Sequence, residues 1–133
     1  MKHFHDLTIE IDNSKTNLKT YQFKIDKGII TWAGMYFPSG CFGLASGRMM
    51  FQAHQILPRN QESWAHGDDG WWQGTMEFPV TAEPLVIKCE GYNVDERYEH
   101  TITFALEIMP FTTKARWDEL INQGKKLLKM VGV

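Results

Sequence analysis

HTITFALEI, residues 100–108, is the stretch on which the fold turns. Its even positions, His100, Ile102, Phe104, Leu106 and Ile108, share one face, and the residues between them take the other. A strand sends successive side chains to opposite sides, so this period of two marks a strand with one side in a core. Pro110 follows and ends the run, because proline cannot donate to a ladder.

The same period recurs upstream. In HFHDLTIEI, His3, His5, Leu7, Ile9 and Ile11 oppose Asp6, Thr8 and Glu10. Tyr21, Phe23 and Ile25 share a side in KTYQFKI, as do Met49, Phe51 and Ala53 in ASGRMMFQAH. Trp72, Met76 and Phe78 do so in WWQGTMEF, and Leu85, Ile87 and Cys89 in LVIKCEGY. GIITWAGMYF is apolar on both sides and reads as a central or doubly covered strand. This makes about seven or eight strands joined by Gly, Pro, Asn and Asp loops, with no helix between them to carry a parallel crossover. The expected fold is all-β: an antiparallel β-sandwich, jelly-roll or immunoglobulin-like, over residues 1–110.

Beyond Pro110 the period changes. Trp117, Leu120, Ile121, Leu127, Leu128 and Val131 fall on one helical stripe, which predicts a C-terminal amphipathic helix in a tail of residues 111–133. From Lys114 onward the chain has five basic and two acidic residues, against nine basic and fourteen acidic before it. A basic tail thus follows an acidic body. The tail can lie on a membrane surface, on its own sandwich or on a neighbouring copy. Opposite charge favours docking, in cis or in trans, over the membrane.

The chain's 133 residues suit one domain. A net charge of −2 argues against nucleic acid as a partner. Cys41 and Cys89 do not make a disulfide framework; one bridge and a reduced pair fit equally well. The start MKHFHDLTIEI lacks the apolar core of a signal peptide, and no apolar run has the length of a membrane span. A cytoplasmic or virion location is expected.

WAHGDDGWWQG, residues 64–74, is the candidate functional loop. Indole faces beside carboxylates suit a sugar: the pyranose stacks on the ring and the carboxylates accept its hydroxyls. Trp64, His66, Asp68, Asp69, Trp71 and Trp72 are the residues concerned. The plainer reading is a turn, since Gly and Asp accept positive φ and bond their own backbone. On that reading one of Trp71 and Trp72 faces the core and the other needs a cover. No metal motif is present, and His3 and His5 read as hydrogen-bonded packing residues. Cys41 in PSGCFG lacks a local base, and neither Ser39-Gly40 nor Ser46-Gly47 is a nucleophile elbow. No catalytic set, metal or cofactor is expected. GYNVDER, residues 91–97, reads as the polar turn of a hairpin.

SGCFGL, HQILPRN, the Gly-Asp-Asp turn and LVIKCEGYNVDERYEHTITFALEI together resemble small uncharacterised β-sandwich proteins encoded among the structural genes of tailed phages and prophages. The likeness runs from about Gly40 to Ile108 and includes no catalytic motif. It implies a virion component: a head decoration, adaptor or surface-lattice protein. Some such proteins bind carbohydrates, and the tail lies outside the likeness. The expectation is therefore a non-enzymatic assembly protein, a homo-oligomer or part of a larger protein assembly, with Trp117, Leu120, Ile121, Leu127 and Leu128 as its assembly helix. The alternative is a carbohydrate-binding module that takes a glycan on the Trp64–Trp72 loop.

Overall fold

The computed structural model describes residues 1–111. The helix read over Trp117, Leu120, Ile121, Leu127 and Leu128 lies outside the described residues. The described chain is all-β: β1 (Lys2–Ile9), β2 (Lys19–Lys24), β3 (Gly28–Phe37), β4 (Ala45–Phe51), β5 (His54–Leu57), β6 (Ala65–His66), β7 (Gly70–Val80), β8 (Val86–Asn93) and β9 (His100–Pro110). They make two antiparallel sheets in a sandwich-like arrangement. The first has the order β1-β9-β3-β7 and the second β2-β8-β4-β5, with β6 also paired to β4.

The period of two decides which side chains meet. Ile102, Phe104, Leu106 and Ile108 of β9 are buried with Leu7, Ile9, Met35 and Phe37 of the first sheet. From the second sheet Ala45, Met49, Phe51, Ile87 and Cys89 join the same core. Each large side chain removed from water contributes about 1.5–3 kcal/mol, which offsets the entropy of ordering the strands. Gly47 and Gly91 are paired across β4 and β8. A methyl on Gly47 would stand 3.2 Å from both Met35 Sδ and Phe104 Cζ, and one on Gly91 would collide with Ile9 Cδ1. The pair lets the first sheet's largest side chains approach the second sheet's backbone.

Three details depart from strict alternation. The register of β3 shifts between Ile30 and Trp32 against both neighbours, β7 and β9. Ile30 faces inward on one side of the shift; Ala33, Met35 and Phe37 do so on the other. Trp32, Gly34 and Tyr36 face outward, so GIITWAGMYF looks apolar on both sides while only one is core. ASGRMMFQAH is not one strand. It turns at Gln52, which takes a φ of 53°, and returns as β5, so Ala53 is exposed in the turn. β1 ends at Ile9, and Ile11 is solvent-exposed.

Four connections gather at one end of the sandwich: residues 10–18, 38–44, 67–69 and 94–99. Backbone bonds tie them: Asn93 N–H to Asn13 O, Val94 N–H to Leu44 O and Gly43 N–H to Gly67 O, at 2.8, 2.9 and 3.1 Å. Buried Asn13 and Asn93 stiffen this end. Asn13 Oδ1 accepts the Glu10 N–H, while Asn93 donates to Tyr98 O and accepts the Asp95 N–H. The second sheet's open edge is shaped by buried Gln55, whose Nε2 is shared among the carbonyls of Pro58, Asn60 and Ser63.

Candidate functional site

The loop 64–74 divides its side chains among several surfaces. Neighbours on a strand point apart, and Trp71 and Trp72 open β7. Trp72 pairs in register with inward Met35, and its Nε1 donates to His66 O at 2.9 Å. It remains 42% exposed at the sandwich edge. Trp64 lies over the outer side of the second sheet. The Arg48 guanidinium stands 4.2 Å from the Trp64 ring centre, and Tyr92 meets that ring edge-on at 4.8 Å. Arg48 is held in turn by buried Glu90, at 3.2 Å. Trp64, His66 and Trp72 do line one open cleft of about 690 Å³, together with Arg59, Asn60 and Gln73. The Arg59 guanidinium donates to Thr75 O on its floor.

Asp68 and Asp69 point away from that cleft. One oxygen of Asp68 accepts the N–H groups of Gly40 and Phe42, at 2.8 and 3.1 Å. The carboxylate thereby shapes the 38–44 connection, as charge-assisted acceptors do. Asp69 takes a φ of 49° and accepts the Tyr36 hydroxyl at 3.4 Å. Only the positive φ at Asp69 fits the turn reading; both carboxylates bond to distant parts of the chain and not to their own backbone.

Trp71 faces outward on the first sheet, in register with Tyr36. Its ring centre lies 5.3 Å from Tyr36 and 6.0 Å from Trp32. Gly34 provides the floor: a Cβ there would stand 2.8 Å from the Trp32 ring and 3.2 Å from Trp71. The Trp32 Nε1 donates to Gln73 Oε1 at 3.2 Å. Phe4 extends the strip and bounds, with Trp32, a shallow groove floored by Thr31, Thr75 and Glu107. A solvent-facing sheet side is ordinarily polar; here four aromatic rings share it. The register shift in β3 hid Trp32 from a reading of period alone.

The loop end carries a second feature that no local motif announces. His100, inward at the start of β9, meets Asp95 with its Nε2 2.9 Å from Oδ2. Asp95 also accepts the N–H groups of Arg97 and Tyr98. The Arg97 N–H first, then His100 and Tyr98, hold its carboxyl below the usual 3.8 against a smaller opposing effect of burial. Ser39, Phe42, Tyr98 and this pair line a cavity of about 420 Å³. Phe42 takes a φ of 49° and is 76% exposed, and Tyr98 is 66% exposed.

His3 and His5 occupy the opposite end, where edge strand β1 faces edge strand β2. Their rings stack at 6.2 Å and close on Phe23, at 5.3 and 4.2 Å. They are packing residues, as expected, but not hydrogen-bonded ones: among the described residues neither Nε2 has a partner, and both atoms are buried. Burial first, then His5 and the terminal amine, push His3 below its ordinary range, while Asp26 opposes them.

Cys41 and Cys89 are both buried free thiols. Burial pushes Cys89 up to about 12, and burial with Asp68 raises Cys41. Neither environment favours the nucleophilic thiolate. Among the described residues no three His, Cys, Asp or Glu side chains are grouped to hold a metal, and no helix is long and apolar enough to cross a membrane. The chain matches no family model, and neither a curated protein nor a solved structure is similar to it.

Proposed function

We propose that the protein is a non-enzymatic assembly protein, a virion component of the head-decoration, adaptor or surface-lattice kind, that works by self-association or by docking onto a larger particle. The observation that carries this reading is the outward strip Phe4–Trp32–Tyr36–Trp71. Aromatic rings are the side chains enriched where proteins meet, and they are costly to leave in water. The strand order supports a jelly-roll as the finer fold. Orders β1-β9-β3-β7 and β2-β8-β4-β5 are those of two interleaved Greek keys, with β5 and β6 sharing one place. Coat proteins of viruses are among the domains built this way, which raises the reading by analogy only. The tail, as an amphipathic helix, supplies a further contact in this proposal.

The test is the solution mass of the full chain beside Trp32→Ala/Trp71→Ala, with the fold of each checked by its thermal transition. The proposal expects a defined oligomer that the double variant weakens at least tenfold, the loss of about 1.4 kcal/mol or more of contact energy. Monomers throughout, with no capture by a virion fraction, sink it.

A second reading is favoured by the cleft between Trp64 and Trp72. Two indole walls with Arg59, Asn60, Gln73 and His66 suit a saccharide ring and its hydroxyls. Trp64→Ala and Trp72→Ala would then abolish glycan binding and leave assembly intact.

A further inference from the structure

The loop end has a cavity, exposed apolar tips and a neighbouring acidic cleft. Phe42 and Tyr98 stand on either side of the cavity, while Ile11 and Val94 are 54% and 58% exposed on the adjoining connections. None of these tips is loose. Asp68 holds the backbone beneath Phe42, and Asp95 holds the backbone beneath Tyr98. A left-handed φ at a phenylalanine costs free energy and is kept only where the surroundings enforce it. A rigid aromatic pair in water is an unfilled contact. A separate cleft at the same loop end, on residues that alternate with Tyr98 and His100, is lined by Glu10, Asp12, Arg97 and Glu99.

We infer that this cavity receives Trp117 of a second copy of the chain. The inference rests on the assembly reading and adds to the aromatic strip a second contact, without which the strip alone does not hold copies together. The sequence around Trp117 has the complementary chemistry: Lys114 and Arg116 precede it, Asp118 and Glu119 follow it, and three lysines come later. The basic flank meets Asp95 in the cavity and the acids of the neighbouring cleft, where Arg97 offers a cation to the two acids. Tryptophan and arginine are the side chains that most often anchor an interface. An indole N–H also suits the cavity wall, where the Ser39 hydroxyl and the Asp95 carboxylate can accept it.

Distance decides between the chain's own tail and a neighbour's. Strand β9 begins at the loop end with His100 and leads away from it to Pro110. Its 11 residues cover about 35 Å at about 3.3 Å each. At the far end the Phe111 N–H bonds to Lys27 O, so the tail departs there. Trp117 stands seven residues past Pro110. Fully extended, seven residues span about 25 Å, short of their own loop end. The tryptophan of another copy has no such limit. The contact is head-to-tail, so it leaves one free cavity and one free tail on every pair and propagates into a ring or a lattice.

Two full-length variants test this by complementation. Trp117→Ala keeps the cavity and loses the anchor. Phe42→Ser/Tyr98→Ser keeps the anchor and loses the cavity; both sites are exposed, and the thermal transition verifies folding. Sedimentation is run on each variant alone, on their equimolar mixture and on the parent chain. The expected result is a parent that grows with concentration, two variants that stay monomeric and a mixture that forms a one-to-one dimer. A mixture that stays monomeric beside an assembling parent overturns the inference, as do variants that each assemble like the parent. If assembly is lost only in Trp32→Ala/Trp71→Ala, the assembly reading stands and this contact falls. If no chain associates and no virion fraction captures the parent, both fall.

Discussion

Histidine occupies both ends of this sandwich on inward strand faces, and the two ends treat it in opposite ways. His100 at the loop end meets a carboxylate 2.9 Å away. His3 and His5 at the far end meet rings instead, and among the described residues their buried Nε2 atoms have no partner. One end is held by polar ties running through Asp68, Asn93 and Asp95. The other is closed where β1 lies against β2 by stacked rings, with no backbone ladder between those two strands. The same residue type thus has a carboxylate for a partner at one end and only aromatic rings at the other.

The largest change would remove the comparison itself. Ile9 ends β1, pairs with His100 and packs on Gly91. Gly91→Val drives a branched side chain into Ile9 and displaces β1 from both ends. A loss of about 3 kcal/mol is expected from overpacking of this kind, read as the shift in denaturant midpoint. A loss under about 0.5 kcal/mol would mean that the sheets can separate freely here.

A smaller effect sharpens the contrast. A base held below its ordinary range supports the fold only while neutral. The His3 contribution is complete above 6.5 and is lost as pH falls from 6.5 through the lower folded value. Stability should therefore decline in the parent chain as pH falls below 6.5. His3→Leu/His5→Leu should flatten that decline and add about 1 kcal/mol, by removing two polar atoms without partners. An unchanged acid slope in the double variant would place the sensitivity elsewhere.

The smallest effect belongs to Asp95. Its carboxyl is held below 3.8, so its contribution is present above that value and lost as pH falls through the lower folded one. Asp95→Asn should leave the decline below pH 6.5 intact and remove only a later step below about pH 4. Amide exchange at Arg97 and Tyr98 reads it locally. Faster exchange at those two amides at neutral pH, without global loss, is the expected outcome; unchanged exchange would deny the carboxylate its hold on the loop.

Regular strands were legible in the sequence because burial imposes the period of two on them. The faces read for β9, for β1 as far as Ile9 and for β8 are the faces observed. Trp72, Met76 and Phe78 also lie on the core side of β7, as their spacing implies. Legibility failed wherever something other than burial set the backbone. The shift at Thr31 sends Trp32 outward, and a turn at Gln52 without glycine or asparagine splits one apparent strand into two. The candidate loop was half legible. The positive φ at Asp69 follows from residue type, and Trp64, His66 and Trp72 do share a cleft, but the tie from Asp68 to residues 40 and 42 is long-range. That Trp71 joins Trp32 and Tyr36 depends on pairing across strands some 35 residues apart, which local spacing does not encode. The His100–Asp95 pair, only five residues apart, was hidden for another reason: residues 91–97 read as a hairpin turn, whereas β8 and β9 belong to different sheets and the connection between them crosses the sandwich.

The place of β9 has a consequence in time. It lies between β1 and β3, so among the described residues the first strand gains its ladder only from the last. The Met1 amine itself bonds to Ile108 O, 107 residues away. During synthesis β1 leaves the ribosome with no partner, and the first sheet cannot close until Pro110 has followed it. A nascent chain cut short before residue 100 would hold the aromatic strand β3 with its β9 edge bare and β1 wholly unpaired. Contacts of such long sequence separation close slowly, and open edges of this kind attract other chains in the interval. Much of the protein's exposure to misassembly is therefore set by how fast its last strand arrives.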